Sequence, residues 1–242
     1  MESQLSLAAG GRDKNRHPGL TARCAGMAAA VTVSLLSTGA AQAAVFDPTC
    51  DFLPTYAGPK DADLDIISVS AVLSGTNVVL TATVNGTIGT TPGGQYVFGI
   101  DRGDGQAFFD TGTTPIGAGI VFDAVAFNQI NPPGSALPTN TFLKSFSVAP
   151  IGALPVSVTV SGSTITDVVP LADLPSDKNL APTAFGFSFW TRDSIGEIAD
   201  FAPDHSTFLA SVPEPATWAM LIMGFGLVGF TARRRKLASL AA

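Results

Sequence analysis

Three aspartates alternate with apolar residues in the acidic segment that opens the central part of the chain. Asp61, Asp63 and Asp65 are separated by Ala62 and Leu64. In an extended segment, residues two apart point to the same side and lie about 6.5 to 7 Å from each other. Carboxylates gathered on one side repel unless a cation neutralises them, and Ca²⁺ prefers such oxygen ligands. The spacing predicts a calcium site; the alternative is a solvated acidic turn.

A second Asp/Gly turn follows a predicted strand and offers further oxygen ligands. Residues 101–105 read DRGDG, which lacks the full D-x-D-x-D-G pattern of a calcium loop. We predict Asp101 and Asp104 as additional ligands of the hypothetical calcium ion, with Asp200 and Asp204 as remote contributors. No other cofactor is predicted.

An aromatic side chain and a planar cation stand close together late in the chain. Phe185, Phe187 and Phe189 share one side of a predicted strand and are predicted to fill the core. Trp190 lies on the opposite side, and Arg192 follows it. This pair suggests a glycan site at Trp190 and Arg192, with exopolysaccharide as the partner. The alternative is that the indole packs against a loop or a sheet edge.

Catalytic motifs are scarce. His205 stands alone, and the chain contains neither G-x-S-x-G nor H-E-x-x-H. His17 and Cys24 fall in the leader described below, so Cys50 has no intramolecular partner and no disulfide framework is expected. We predict no catalytic residues and no enzyme activity. A glycan hydrolase using paired aspartates is the alternative, because carboxylate separation is a three-dimensional quantity.

Charge is distributed unevenly along the 242 residues. Positions 44–212 hold five Lys/Arg and sixteen Asp/Glu, a net charge of −11, whereas both ends are basic. Nucleic-acid binding requires clustered Lys and Arg to neutralise phosphates. The middle of the chain is therefore not expected to bind nucleic acid.

Eight short runs with period-two alternation and turn residues between them predict strands, and no long helical period interrupts them. The fold class is therefore all-β: an antiparallel β-sandwich over residues 44–211, of jelly-roll or carbohydrate-binding-module type. Gly162-Ser163 predicts a hairpin turn. The order of features, including YVFGID at 96–101, resembles exported sandwich domains related to carbohydrate-binding and DOMON-type modules. The runs are 66–73, 78–84, 95–100, 119–127, 141–148, 156–161, 164–169 and 184–191.

The N-terminal end has the layout of a secretory signal. A basic polar region, 1–24, precedes an apolar run, 25–36, too short to span a bilayer. Ala41 and Ala43 then supply the small residues that signal peptidase needs, which places the cut before Ala44 or one residue later. Residues 1–43 are predicted to be a signal peptide with a long n-region.

The C-terminal end contains one predicted transmembrane helix. Residues 216–232 are uncharged, and 17 residues at 1.5 Å each reach about 26 Å, close to the lower limit for spanning. A basic stop-transfer group follows the helix and predicts a cytoplasmic C-terminus. The inner membrane would then hold the chain with its middle domain outside. The stop-transfer residues are Arg233, Arg234, Arg235 and Lys236.

Just before this apolar stretch the chain reads PEPATWA, residues 213–219. The proline-glutamate-proline triplet, the apolar helix and the basic end together resemble the PEP-CTERM sorting signal over residues 212–242, with a motif at 213–220. The resemblance implies processing by the membrane protease exosortase and delivery to the cell surface or extracellular matrix. It also implies the recognition residues Pro213, Glu214, Pro215, Trp218 and Ala219.

Overall fold

The structure, a computed structural model, is mostly β and contains two antiparallel sheets. All of the residues it describes belong to one compact unit, Gly39–Ala242. The described residues are 44–110, 115–146, 152–176, 178–212 and 222–226.

The first sheet has the order β1-β2-β3-β8-β7, and the second has the order β10-β9-β4-β5-β6 with β11 also paired to β9. Every strand pair is antiparallel. The strands are β1 Val45–Phe46, β2 Ile66–Ser74, β3 Asn77–Val84, β4 Gln95–Asp101, β5 Ala124–Gln129, β6 Asn140–Ser145, β7 Ser157–Ser161, β8 Thr164–Pro170, β9 Gly186–Arg192, β10 Ile198–Ala202 and β11 Phe208–Leu209.

Alternation of side chains determines which face of each strand is buried. In β3, Val78, Leu80, Ala82 and Val84 are buried and their neighbours are half-buried, which matches the period of two. Each of the eight predicted runs overlaps a strand. The predicted hairpin between β7 and β8 is confirmed, and Gly162 adopts the positive φ of 60° that its tight turn requires.

One hydrophobic cluster takes side chains from both sheets. Leu80 and Ile165 come from the first sheet, and Phe98 and Phe189 from the second; the two phenylalanine rings lie 4.6 Å apart. The predicted core role of the alternating phenylalanines of β9 is therefore confirmed. Burial of these apolar side chains is the main stabilising contribution to the domain.

A second hydrophobic cluster lies on the opposite face of the second sheet. It contains Val97, Val125 and Trp190 from the strands, and Leu64 and Phe122 from segments that cross this face. The segment before β5 was predicted to be strand from residue 119, but the strand begins at 124. The preceding residues instead fold over the sheet, which brings Phe122 onto its outer face.

Two polar side chains meet inside the inter-sheet core. Asn128 on β5 and Asp167 on β8 are both fully buried, and Nδ2–H of Asn128 donates to Oδ2 of Asp167 at 2.7 Å. The two Oδ1 atoms are buried without a hydrogen-bond partner among the described residues. Burial raises the pKa of Asp167 to about 7, and the bond from Asn128 opposes the rise. A protonated Asp167 would satisfy both Oδ1 atoms by donating to Asn128.

Three strands were not predicted, namely β1, β10 and β11. β1 and β11 have two residues each, too short for a periodic signal. β10 is buried at all five positions, so it shows no alternation.

At the C-terminal end, residues 222–226 have helical backbone. Among the described residues no helix is both long and apolar enough to cross a membrane. The rest of the predicted span 216–232 lies outside the described residues.

Candidate functional site

The predicted calcium group at Asp61, Asp63 and Asp65 has a different geometry from the one expected. Residues Ala62–Leu64 form a 3-10 helix and not an extended segment. Asp61 and Asp63 both lie within hydrogen-bond distance of the Thr91 hydroxyl, whereas Asp65 has other partners. The prediction of an extended segment is wrong because Asp61 O and Ala62 O accept the N–H groups of Leu64 and Asp65, which closes a tight turn.

Asp63 receives hydrogen bonds from the protein itself. Its carboxylate accepts the backbone N–H groups of Thr90 and Thr91 at 2.9 and 2.8 Å, the Thr91 hydroxyl, and the Tyr96 hydroxyl at 2.7 Å. The side chain is fully buried. The carboxylate therefore orders the loop between β3 and β4, and protein donors already supply the positive partners that a cation would offer.

The other predicted ligands have separate partners. Asp65 accepts the Cys50 N–H at 2.8 Å and Asn85 Nδ2–H at 2.9 Å. Asp101 accepts the N–H groups of two glycines in its own turn, and Asp104 forms an ion pair with Lys178 at 3.2 Å. Each of these aspartates already has a hydrogen-bond or ion-pair partner within the protein. Cys50 itself is exposed and has a free thiol.

A different acidic group brings three carboxylates together. Asp47 follows β1, Asp51 lies in the next turn, and Asp200 comes from β10; one oxygen of each lies within 4.8 Å of the others. Asp200 is fully buried, and its Oδ2 accepts the Ile66 N–H at 2.8 Å. Asp47 Oδ2 and Asp51 Oδ1 are buried and have no hydrogen-bond partner among the described residues.

Burial and mutual repulsion affect the protonation of this group. Burial, together with the negative charges of Asp200 and Asp51, raises the pKa of Asp47 to about 8. Burial also raises the pKa of Asp200 to about 7, against the stabilising hydrogen bond from the Ile66 N–H. The group therefore needs a proton or a cation near neutral pH. Asp200 was among the remote contributors considered from the sequence. Asp47 and Asp51 were missed because they lie 153 and 149 positions from Asp200 in the sequence, and only folding brings the three together.

Trp190 and Arg192 line a cavity on the outer face of the second sheet. The indole is only 3% exposed and packs against Phe109 and Phe122, with ring centroids 5.1 and 4.9 Å away. A sugar-binding surface requires an exposed ring face, so the buried indole does not provide the surface that the glycan hypothesis assumed. Arg192 is half-buried and donates to the carbonyl of Gly196 at 3.0 and 2.7 Å.

This aromatic cavity, as we call it, has a volume of about 330 Å³. Most of its lining was missed from the sequence, although β6 carried a usable signal: Phe142, Lys144 and Phe146 alternate and share one face. The lining residues are Val97, Phe108, Phe109, Phe122, Val125, Phe127, Phe142, Lys144, Phe146, Trp190 and Arg192.

The predicted processing signals fall almost entirely outside the described residues. The signal-cleavage positions Ala41 and Ala43 precede them, and the described chain starts at Ala44. The sorting motif residues 213–219 and the basic residues 233–236 also lie outside them.

Comparison with known proteins identifies the tail. A comparison with curated proteins finds no match to the chain. Residues 211–236 match the family model of the PEP-CTERM protein-sorting motif, which covers the predicted motif, apolar stretch and basic end. The chain therefore carries a PEP-CTERM sorting signal, which marks an exported protein that is processed by exosortase and targeted to the cell envelope.

Proposed function

We propose that this chain is a cell-envelope or extracellular-matrix protein whose non-catalytic β-sandwich acts as an interaction domain after exosortase sorting. The observation that carries the proposal is the sorting motif at 211–236, directly after a two-sheet domain. That domain has its own inter-sheet core, as an independently folded unit requires.

The proposed order of events follows from the three segments. Signal peptidase removes residues 1–43, residues 216–232 hold the chain transiently in the inner membrane, and the basic end at 233–236 stops transfer. Exosortase then acts near the proline-glutamate-proline triplet. The domain is released or attached at the cell surface.

Fractionation of cells with mass spectrometry of the mature ends tests this proposal. We expect a mature N-terminus at or next to Ala44, and a C-terminus near residue 213 in the cell-surface fraction. Replacement of Pro213 and Pro215 by alanine, or deletion of the exosortase, is expected to leave the full tail on a membrane-bound chain. Replacing Pro132 and Pro133 by alanine changes two prolines in a surface loop and is the matched control. Intact termini on a cytosolic protein would refute the proposal.

Calcium binding is a second candidate function, now at Asp47, Asp51 and Asp200 instead of at the aspartates expected from the sequence. The observation that favours it is the pair of buried carboxylate oxygens without partners, inside a cluster of like charges. Carboxylate oxygens are the ligands that Ca²⁺ prefers, and water would complete its coordination.

Thermal unfolding of the full chain in a neutral detergent, with Ca²⁺ or with a chelator, tests the second candidate. A ligand that binds the folded state raises Tm, so Ca²⁺ should raise it in the wild type and not in Asp200→Asn. Asp104→Asn, at a surface ion pair, should keep the wild-type response. An unchanged Tm in the wild type, or an equal rise in Asp200→Asn, would count against calcium.

A further inference from the structure

The aromatic cavity has the size and composition of a small-molecule site. Its volume of about 330 Å³ falls within the range of ligand pockets, roughly 300–1,000 Å³, and nine of its eleven lining residues are apolar. Phe108 and Phe146 at its rim are 42% and 46% exposed. Exposed apolar surface gathered around a concave site is typical of ligand-binding grooves.

The charge of the lining is opposite to that of the domain. Positions 44–212 carry a net charge of −11, yet the cavity is lined by two cations, Lys144 and Arg192, and by no carboxylate. The ion pairs found among the described residues use Arg102 and Lys178. Lys144 is exposed, and its Nζ lies 5.5 Å from the centroid of the Phe146 ring. The cavity is therefore suited to an anionic ligand.

The register of the second sheet separates the two cations. Lys144 pairs with Val125, whereas Arg192 pairs with Gln95, in a row four residues further along and three strands away. Standard sheet spacings place their Cα atoms about 19 Å apart. One carboxylate cannot contact both, and Arg192 already donates to Gly196. Lys144 is thus the cation available for an anionic head group.

The surface between the cations is apolar. Phe127 and Phe142 face each other across β5 and β6 with ring centroids 4.9 Å apart and nearly parallel planes. The floor continues through Val97 to the indole of Trp190. A ligand with many hydroxyl groups would lose water there and find few hydrogen-bond partners.

From this arrangement we infer that the aromatic cavity binds an anionic amphiphile: a carboxylic acid with its carboxylate at Lys144 and its hydrocarbon body over Phe127 and Phe142 toward Trp190. The site goes beyond the sorting function and uses no residue of the tail. Its failure and the failure of the sorting proposal are therefore separately observable.

Isothermal titration calorimetry tests the inference on the full chain in nanodiscs of zwitterionic lipid, with empty nanodiscs as the blank. The probes are decanoate, decanol and decylammonium, which share one alkyl chain and differ in charge. We expect saturable 1:1 binding of decanoate, weaker binding of decanol and the weakest binding of decylammonium. In Lys144→Gln, decanoate should bind about five-fold more weakly, because the variant loses one partly exposed charge-assisted contact. The affinity for decanol should not change.

Further variants separate a binding role from a structural one. Lys144→Arg keeps the charge and should retain decanoate affinity. Phe142→Ala should weaken the binding of decanoate and of decanol to the same extent. Lys60→Gln is the matched control, because Lys60 also lies over an aromatic ring, Phe52 at 5.8 Å, but outside the cavity. The inference is overturned if decanoate gives no heat beyond the blank, if the three probes bind equally, or if folded Lys144→Gln binds decanoate like the wild type. Binding of a neutral oligosaccharide in place of decanoate would overturn it as well.

Discussion

Replacing Asp167 by asparagine should remove a large part of the pH dependence of stability. The wild-type pair has one hydrogen bond from Asn128 and two buried Oδ1 atoms without a partner among the described residues, and a proton on Asp167 would supply a donor there. An asparagine at 167 has the same shape, and its amide can donate to Asn128 at every pH. The variant therefore keeps both hydrogen bonds without a titrating group.

The magnitude follows from the raised pKa of Asp167. A carboxyl whose pKa is about 7 in the folded state and 3.8 in the unfolded chain binds its proton more tightly when folded. The stabilisation is fully present below about pH 4, falls as pH rises, and is lost above about pH 7. The difference corresponds to about 4 kcal/mol of unfolding free energy. Asp47 and Asp200 contribute in the same direction, so the comparison must be between variant and wild type.

Urea unfolding followed by circular dichroism, at several pH values from about 4 to 8, measures this difference. Between these pH values, the unfolding free energy of Asp167→Asn should fall by about 4 kcal/mol less than that of the wild type. The variant should be the more stable protein at the alkaline end. Asp173→Asn, a half-buried neighbour on the same segment, should follow the wild-type curve. Parallel curves for Asp167→Asn and wild type would show that Asp167 is not the protonated partner of Asn128.

Other substitutions test the remaining buried groups by the same urea assay. Asp63→Ala leaves the N–H groups of Thr90 and Thr91 and the Tyr96 hydroxyl without their acceptor, whereas the Thr91 hydroxyl can still donate to Asp61. The change should cost about 3 kcal/mol or more; a loss below about 1 kcal/mol would contradict the loop-ordering role. Arg102→Met leaves Asp123 buried without the partner it contacts at 2.7 Å and should cost about 3–5 kcal/mol, and a loss below about 1 kcal/mol would contradict the role of the ion pair. Gly99→Ala would place a Cβ 2.7 Å from the Trp190 ring and should cost about 1–3 kcal/mol, with a changed near-ultraviolet signal of the indole as a second readout.

The strands could be predicted from the sequence because their signal is local. β3 alternates over its whole length, and the turn before β8 contains the glycine that its backbone demands. The sequence also indicated which face of β9 points into the core, because every second residue from Phe185 to Phe189 is aromatic. β10 reads IADFA, in which apolar and polar residues do not alternate, so no local signal marked it as a strand.

The candidate sites could not be predicted in the same way, because their residues are distant in sequence. The floor of the aromatic cavity comes from four strands, and its wall comes from the loop that carries Phe108 and Phe109. Which face of a strand a loop covers depends on tertiary packing that no local period encodes. The sequence therefore indicated that Trp190 opposes the core phenylalanines, but not that Phe109 and Phe122 bury it.

The acidic composition has a structural explanation that changes how the net charge should be interpreted. Six aspartates among the described residues are buried: Asp63, Asp65, Asp123, Asp167, Asp193 and Asp200. Five of them accept backbone N–H groups, and Asp167 accepts from Asn128. A carboxylate with several such donors satisfies the exposed backbone of a turn that has no strand partner. Many of the acidic residues of the domain therefore hold loops onto the sheets. The lining of the aromatic cavity contains two cations and no carboxylate, so its local charge is opposite in sign to the net charge of the domain.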